Sequence, residues 1–248
     1  MKNPVIAVAP IKYFDINKTN NIFKIVNFIR KAKRKKADII CFPESCIKKI
    51  GALDMNDRLI KLIQDECKRN KIWAIITENV RMNEGTFNVS MLVDRQGKIK
   101  GRYKKINLSG DDKIVPGNKV RVFKTDFAKI GIAICWDLAF PELFEKMGDM
   151  GAEIVFCPAR WAYEESVYQN MHKKRETELL RALVLSRAFE NLYYVVLCNP
   201  LRDDKEQISY SVIASPHRIL KEIKDKEGII TAKLDLKEIR KLRKLYAK

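Results

Sequence analysis

The sequence predicts an α/β protein built as one domain, and three observations carry that expectation. Short apolar runs alternate with amphipathic stretches of helical period along almost the whole chain. The 248 residues suit a single α/β domain with a sizeable core. No stretch rich in proline, glycine and serine divides the chain, so the domain is read as running from residue 1 to residue 248.

Each element follows from local pattern. Val5 to Ala9 reads as a strand. Between about Thr19 and Lys36 the residues Ile22, Ile25, Val26 and Ile29 recur at helical spacing. The run Lys31-Ala-Lys-Arg-Lys-Lys36 closes that helix, where cations suit the C-terminal dipole. A strand from Asp38 to Phe42, a helix over about Asp54 to Asn70, and strands starting at Ile72, Phe87 and Lys98 follow. Lys129 to Ile134 is an apolar run ending at Cys135, Pro141 to Met147 reads as a helix, and Ala152 to Cys157 as a buried strand. A long helix covers about Asn170 to Asn191. The strands Tyr193 to Cys198, Tyr210 to Ala214, Ile219 to Ile223 and Ile229 to Leu234 and a short basic helix complete the chain.

Composition narrows the function. No apolar run approaches the roughly 20 residues that a membrane-spanning helix needs, and the amino terminus is short and broken by prolines. A non-secreted, cytoplasmic protein with no membrane partner is expected. The six cysteines sit mostly in strand-like segments such as DIICF, IAIC and VVLC, read as buried free thiols of a reducing compartment. With no C-x-x-C pair and only His172 and His217 as histidines, no metal site is expected. The net charge of +18 raises the question of nucleic acid, but the lysines are dispersed along the chain, and no nucleic-acid partner is expected.

Two segments resemble each other: KKADIICFPES at 35–45 and MGAEIVFCPAR at 150–160. Each is a helix exit, an acidic residue, an apolar strand and a proline. Two related α/β halves would bring Glu44 and Arg160 out of equivalent strand ends, the edge at which open α/β sheets bind ligands.

Cys135 differs from the other cysteines because an apolar strand delivers it into the turn WDLAFPE and then a helix. A nucleophile at such a corner is expected to be exposed, with backbone N–H groups near it to receive negative charge. Glu44, beyond the strand DIICF and a proline, is a carboxylate expected to be partly desolvated and suited to general acid–base work.

The segments FPES, YKKINL and GIAICWDLAFPE occur in that order, and with them the sequence resembles the nitrilase, or carbon–nitrogen hydrolase, superfamily. Val5 to Pro10 resembles its first strand, Phe87-Asn-Val-Ser90 with Asp94 and Gly97 its central hairpin, and Arg187-Ala-Phe-Glu-Asn191 its RAxEN helix end. The resemblance implies a four-layer αββα sandwich, a homodimer or higher homo-oligomer and no cofactor. It makes Cys135 the nucleophile, Glu44 the general base and Lys105 the cation beside the oxyanion. Lys105 rather than Lys104 fits the family spacing of Tyr103 and Leu108.

The implied reaction is hydrolysis of a small non-peptide amide or carbamoyl compound through a thioester, with the Trp136 N–H as second oxyanion donor. The alternatives are a true nitrilase and a catalytically silent scaffold of the same fold. The family's second glutamate falls near Gly110 to Asp112, where Asp111 or Asp112 is either its substitute or an exposed loop acid. Arg160 is a candidate for binding a substrate carboxylate; its other reading is a surface or dimer-interface arginine.

Overall fold

The computed structural model describes residues 3–14, 17–110, 113–162, 172–202 and 208–246. Its strands are β1 (Val5–Val8), β2 (Ile39–Glu44), β3 (Leu53–Asp54), β4 (Trp73–Met82), β5 (Gly85–Val93), β6 (Ile99–Lys104), β7 (Val122–Lys124), β8 (Lys129–Ile132), β9 (Ile154–Pro158), β10 (Tyr194–Cys198), β11 (Tyr210–Ala214), β12 (Ile219–Lys224) and β13 (Ile230–Lys233). The helices are α1 (Ile22–Arg34), α2 (Arg58–Asn70), α3 (Pro141–Asp149), α4 (His172–Asn191) and α5 (Leu236–Leu245). No helix among the described residues is long and apolar enough to cross a membrane.

The strands form two sheets. One runs β13-β1-β2-β4-β5-β6, with β3 pairing to β4; the other runs β12-β11-β10-β9-β8-β7. Their facing surfaces bury Ile6, Val8, Ile39, Ile75, Ile130, Ile132, Phe156 and Val196 in one apolar layer. The outer face of the first sheet carries α1 and α2 over Ala7, Ile40, Ile76 and Val89. The second sheet carries α3 and α4, which bury Leu143, Phe144, Leu180 and Val184. This is the expected four-layer αββα sandwich.

Helix positions follow amphipathic spacing. In α1 the buried side chains are Ile22, Ile25, Phe28, Ile29 and Ala32. In α2 Asp57 accepts the Leu59 N–H at 2.8 Å, capping a helix whose Ile60, Ile63 and Cys67 face the sheet. That cap moves the start of α2 past the expected Asp54, which instead pairs in β3. Glu66 on α2 is buried and accepts from Arg30 of α1 at 2.6 and 3.1 Å, so a charge pair joins the two helices.

The internal repeat is visible in three dimensions. β2 lies between β1 and β4, parallel to both, and β9 lies between β8 and β10, parallel to both. The two strand ends meet where the Glu44 N–H donates to the Ala159 carbonyl at 3.2 Å.

Candidate active site

Glu44, Lys105 and Cys135 converge in the space between the carboxyl ends of β2 and β9. Glu44 closes β2 after Pro43, where the register with β4 shifts so that Glu44 stands opposite Thr77. Ser45 turns the chain away in the left-handed region, at φ 51°, and donates to the Thr77 carbonyl at 2.9 Å. Lys105 follows β6. Its N–H donates to the Asn88 carbonyl at 2.9 Å and its carbonyl accepts from Gly117 at 2.7 Å. A Cβ at Gly117 would collide with the Lys104 carbonyl, so only glycine permits this approach.

Strand alternation decides between the two lysines. Lys105 lies 5% exposed with its ammonium 3.0 Å from Glu44 Oε1. Lys104 points the other way, its Nζ 3.4 Å from the Phe87 ring centroid and 3.7 Å from Glu84. There it lines a cleft of about 600 Å³ with Lys100, Arg102, Lys119 and Arg121. The fold thus gathers some of the cations that are dispersed in sequence, at the edge of the first sheet.

Cys135 begins a 3-10 turn spanning Cys135–Ala139, before α3 starts at Pro141. It takes φ 50°, a left-handed conformation costly for a residue with a Cβ. The expectation of an exposed thiol is corrected: Cys135 is 6% exposed, roofed by its neighbours. Burial first and the Glu44 charge second push its pKa up to about 12, against the lowering effects of Lys105 and of the Arg160 backbone N–H. The resting group is therefore a neutral thiol. Lys105 is held above its ordinary value, because burial, which lowers it, is outweighed by Glu44 and by the Cys135 sulfur.

Arg160 enters the site through its main chain: its N–H donates to Glu44 Oε2 at 3.0 Å. Each Glu44 oxygen thus has a named donor, Lys105 on Oε1 and Arg160 on Oε2. The Arg160 side chain is exposed and bonds the Tyr13 hydroxyl at 3.2 Å. Trp136, 39% exposed, packs its ring 5.3 Å from that of Trp161. Asp111 and Asp112 lie outside the described residues.

The sequence reading gave no role to Asp137, yet it joins both motifs. Fully buried, its Oδ1 accepts the Asn107 N–H at 2.8 Å and the Asn107 amide at 3.0 Å. Its Oδ2 accepts the Tyr103 hydroxyl at 2.8 Å and the Ile134 N–H at 2.9 Å. One carboxylate therefore ties the turn that carries Cys135 to residues two before and two after Lys105. Arg187 braces the same turn from α4, donating to the Leu138 carbonyl at 3.3 Å. Tyr103, Asp137 and Arg187 all stood inside segments already singled out, but no spacing announces which will bond which.

The carbon–nitrogen hydrolase family model matches residues 5–244. A 2-oxoglutaramate amidase of Bacillus subtilis is 27% identical over 252 residues, spanning 93% of this chain and 91% of that protein. An omega-amidase of Homo sapiens is 24% identical over 249 residues, spanning 91% of this chain and 87% of that one. Among solved structures, a nitrilase-superfamily member from Saccharomyces cerevisiae superposes with a TM-score of 0.84 at 22% identity, covering 98% of this chain and 94% of its own. An amidase from Nesterenkonia superposes at 0.82 with 18% identity, covering 99% and 97%. With the family pattern matched from the first strand to the last helix, this chain belongs to the carbon–nitrogen hydrolase family.

Proposed function

We propose that the protein hydrolyses the carbon–nitrogen bond of a small non-peptide amide through a thioester on Cys135. The observation that carries this reading is Glu44, a buried carboxylate held between the Lys105 ammonium and the Arg160 N–H, beside a thiol kept protonated. A neutral thiol needs a base, and Glu44 is the base in place. It takes the Cys135 proton as sulfur attacks the carbonyl carbon, and the oxyanion forms beside Lys105 and the Trp136 N–H. Glu44 then gives that proton to the departing nitrogen, so ammonia or an amine leaves and the acyl group remains as a thioester. Water, deprotonated by Glu44, attacks the thioester; the acid leaves and the thiol recovers its proton.

The amide reading is favoured over the nitrile by the amidase names of the similar proteins. A structure of the Nesterenkonia amidase carries the acetamide moiety of fluoroacetamide on its active-site cysteine, chemistry that fits attack by Cys135 here. A silent scaffold has no physical use for a buried charge pair beside a thiol.

The test is ammonia release from small amides, ω-amides, N-carbamoyl amino acids and nitriles, with mass spectrometry of the acid-quenched protein. Turnover that vanishes in Cys135→Ala, with an acyl adduct on Cys135, is expected. Turnover that survives the substitution overturns the assignment.

We also propose self-association through the face bearing Leu179 and Phe189 of α4 and Tyr246 beyond α5. Each is 46% to 49% exposed, and Phe189 packs 6.0 Å from Tyr246. Light scattering that finds only monomer contradicts this. The six free buried cysteines fit a cytoplasmic location.

A further inference from the structure

Lys104 and Lys105 are neighbours in sequence that serve two different cavities. Lys105 turns in toward Glu44, and Lys104 turns out into the cleft of about 600 Å³ at the edge of the first sheet. Five cations line that cleft, Lys100, Arg102, Lys104, Lys119 and Arg121, against the single carboxylate of Glu84 among the described residues.

Three segments of the chain build it. In β6, Arg102 and Lys104 stand opposite Met91 and Val89 of β5, on the face of the sheet turned away from the buried Tyr103. Lys100 sits in a β-bulge, where Gly101 pairs with Leu92 and Ile99 with Val93; a bulge re-aims a side chain at a sheet edge. Glu84 belongs to the turn between β4 and β5, and Lys119 and Arg121 to the segment that leads into β7. That segment is held against the first sheet: the Val115 N–H donates to the Thr86 carbonyl at 2.8 Å and the Gly117 N–H to the Lys105 carbonyl at 2.7 Å. The Phe123 ring of β7 fills the space that a Cβ on Gly101 would take, so the second sheet closes one end of the cleft.

The positive charge of the cleft is poorly neutralised. Lys104 lies 3.7 Å from Glu84 and Lys100 lies 3.8 Å from Asp94, both beyond hydrogen-bond distance. No carboxylate of the described residues comes within ion-pair distance of Arg102, Lys119 or Arg121. Charges on an edge strand also discourage pairing with another chain. That role needs the β6 cations alone and gives no reason for Lys119 and Arg121 to line the same recess. Like charges gathered on fixed backbone repel, and a bound anion relieves the repulsion.

We propose that this cleft binds a small molecule bearing two or three linked phosphate groups. Linked phosphates present many oxygens along a short span, which suits cations drawn from more than one wall better than a lone carboxylate does. The guanidinium forks of Arg102 and Arg121 match pairs of phosphate oxygens, and the three ammonium groups act as point charges. The volume falls within the range of small-molecule sites, about 300–1,000 Å³, whereas a nucleic-acid duplex needs an extended interface of about 1,000 Å² or more. This site is separate from the hydrolase reading and stands whether or not an amide is cleaved.

The experiment is calorimetric titration of the protein with tripolyphosphate and with ATP in magnesium-free buffer. One equivalent per chain is expected, with affinity falling as salt rises. Arg102→Gln combined with Arg121→Gln should weaken binding at least about 10-fold. Arg102→Lys combined with Arg121→Lys, which keeps the charge and loses the forks, should fall between. Lys33→Gln combined with Lys35→Gln removes the same charge from the exposed end of α1 and should change affinity by less than about twofold. Tighter binding of ATP than of tripolyphosphate supports the site with an organic part seated beside the phosphates, and equal binding supports it with the phosphates alone. Absence of saturable binding, an equal loss in the two glutamine double variants, or tighter binding of a short DNA duplex than of both compounds overturns the proposal.

Discussion

Lys105 donates its ammonium to Glu44 Oε1 across 3.0 Å, and both residues are 5% exposed. Removing one member of a buried pair leaves the other charged and alone, which costs about 3–5 kcal/mol. Glu44→Gln and Lys105→Met should each destabilise by that order in urea unfolding. The double substitution should cost less than the sum of the two. Simple additivity would show that the pair is not coupled. Each single substitution should also lower kcat at least about 100-fold.

The Cys135 thiol, pushed up to about 12 by burial and Glu44, carries its proton at neutral pH. The thiolate absorbance near the far ultraviolet should therefore be the same for the native protein and Cys135→Ala between about pH 7 and pH 9, a range well below that value. An excess absorbance in the native protein would reveal a thiolate and remove the need for Glu44 as base.

Asp137 ties the turn that carries Cys135 to the Lys105 segment through four hydrogen bonds. Asp137→Asn keeps the shape and reverses part of the donor–acceptor pattern. It should lower kcat about 10- to 100-fold while KM changes little, because small displacements of a positioned group cost rate rather than binding. A change confined to KM would place Asp137 in substrate binding instead.

Glu78, on the helix-facing side of β4, is 2% exposed and accepts the N–H groups of Ile47, Lys48 and Asn79. Burial raises its pKa from 4.5 to about 7. The folded protein therefore binds a proton more tightly than the unfolded chain. The stabilisation is fully present below about pH 4.5 and is lost as pH rises through 7, by about 3 kcal/mol at most. Glu78→Gln should flatten stability against pH over this interval. An equal slope in both proteins would assign it to other groups.

Much of the fold could be read in the residues because its signals are local. The spacing of Ile22, Ile25 and Ile29 sets α1, and the apolar runs before Pro43 and Pro158 set β2 and β9. The family resemblance brought Glu44, Lys105 and Cys135 into one account before their distances were known, and the structure sets Lys105 against Glu44. Helix ends were less legible. Asp57 caps α2, and the 3-10 turn after Cys135 separates it from α3, both matters of backbone hydrogen bonding rather than apolar period.

The sequence by itself determined the alternation of elements, the repeated strand-proline motif and the residue types available for chemistry, since each depends on neighbours along the chain. Only the tertiary structure decided which atoms meet. Asp137 finds Tyr103 from 34 positions away, and the Arg160 N–H finds Glu44 from 116. It also decided that Cys135 is buried and its thiol neutral, because burial and the field of Glu44 belong to the space between two packed sheets and have no counterpart in the order of residues.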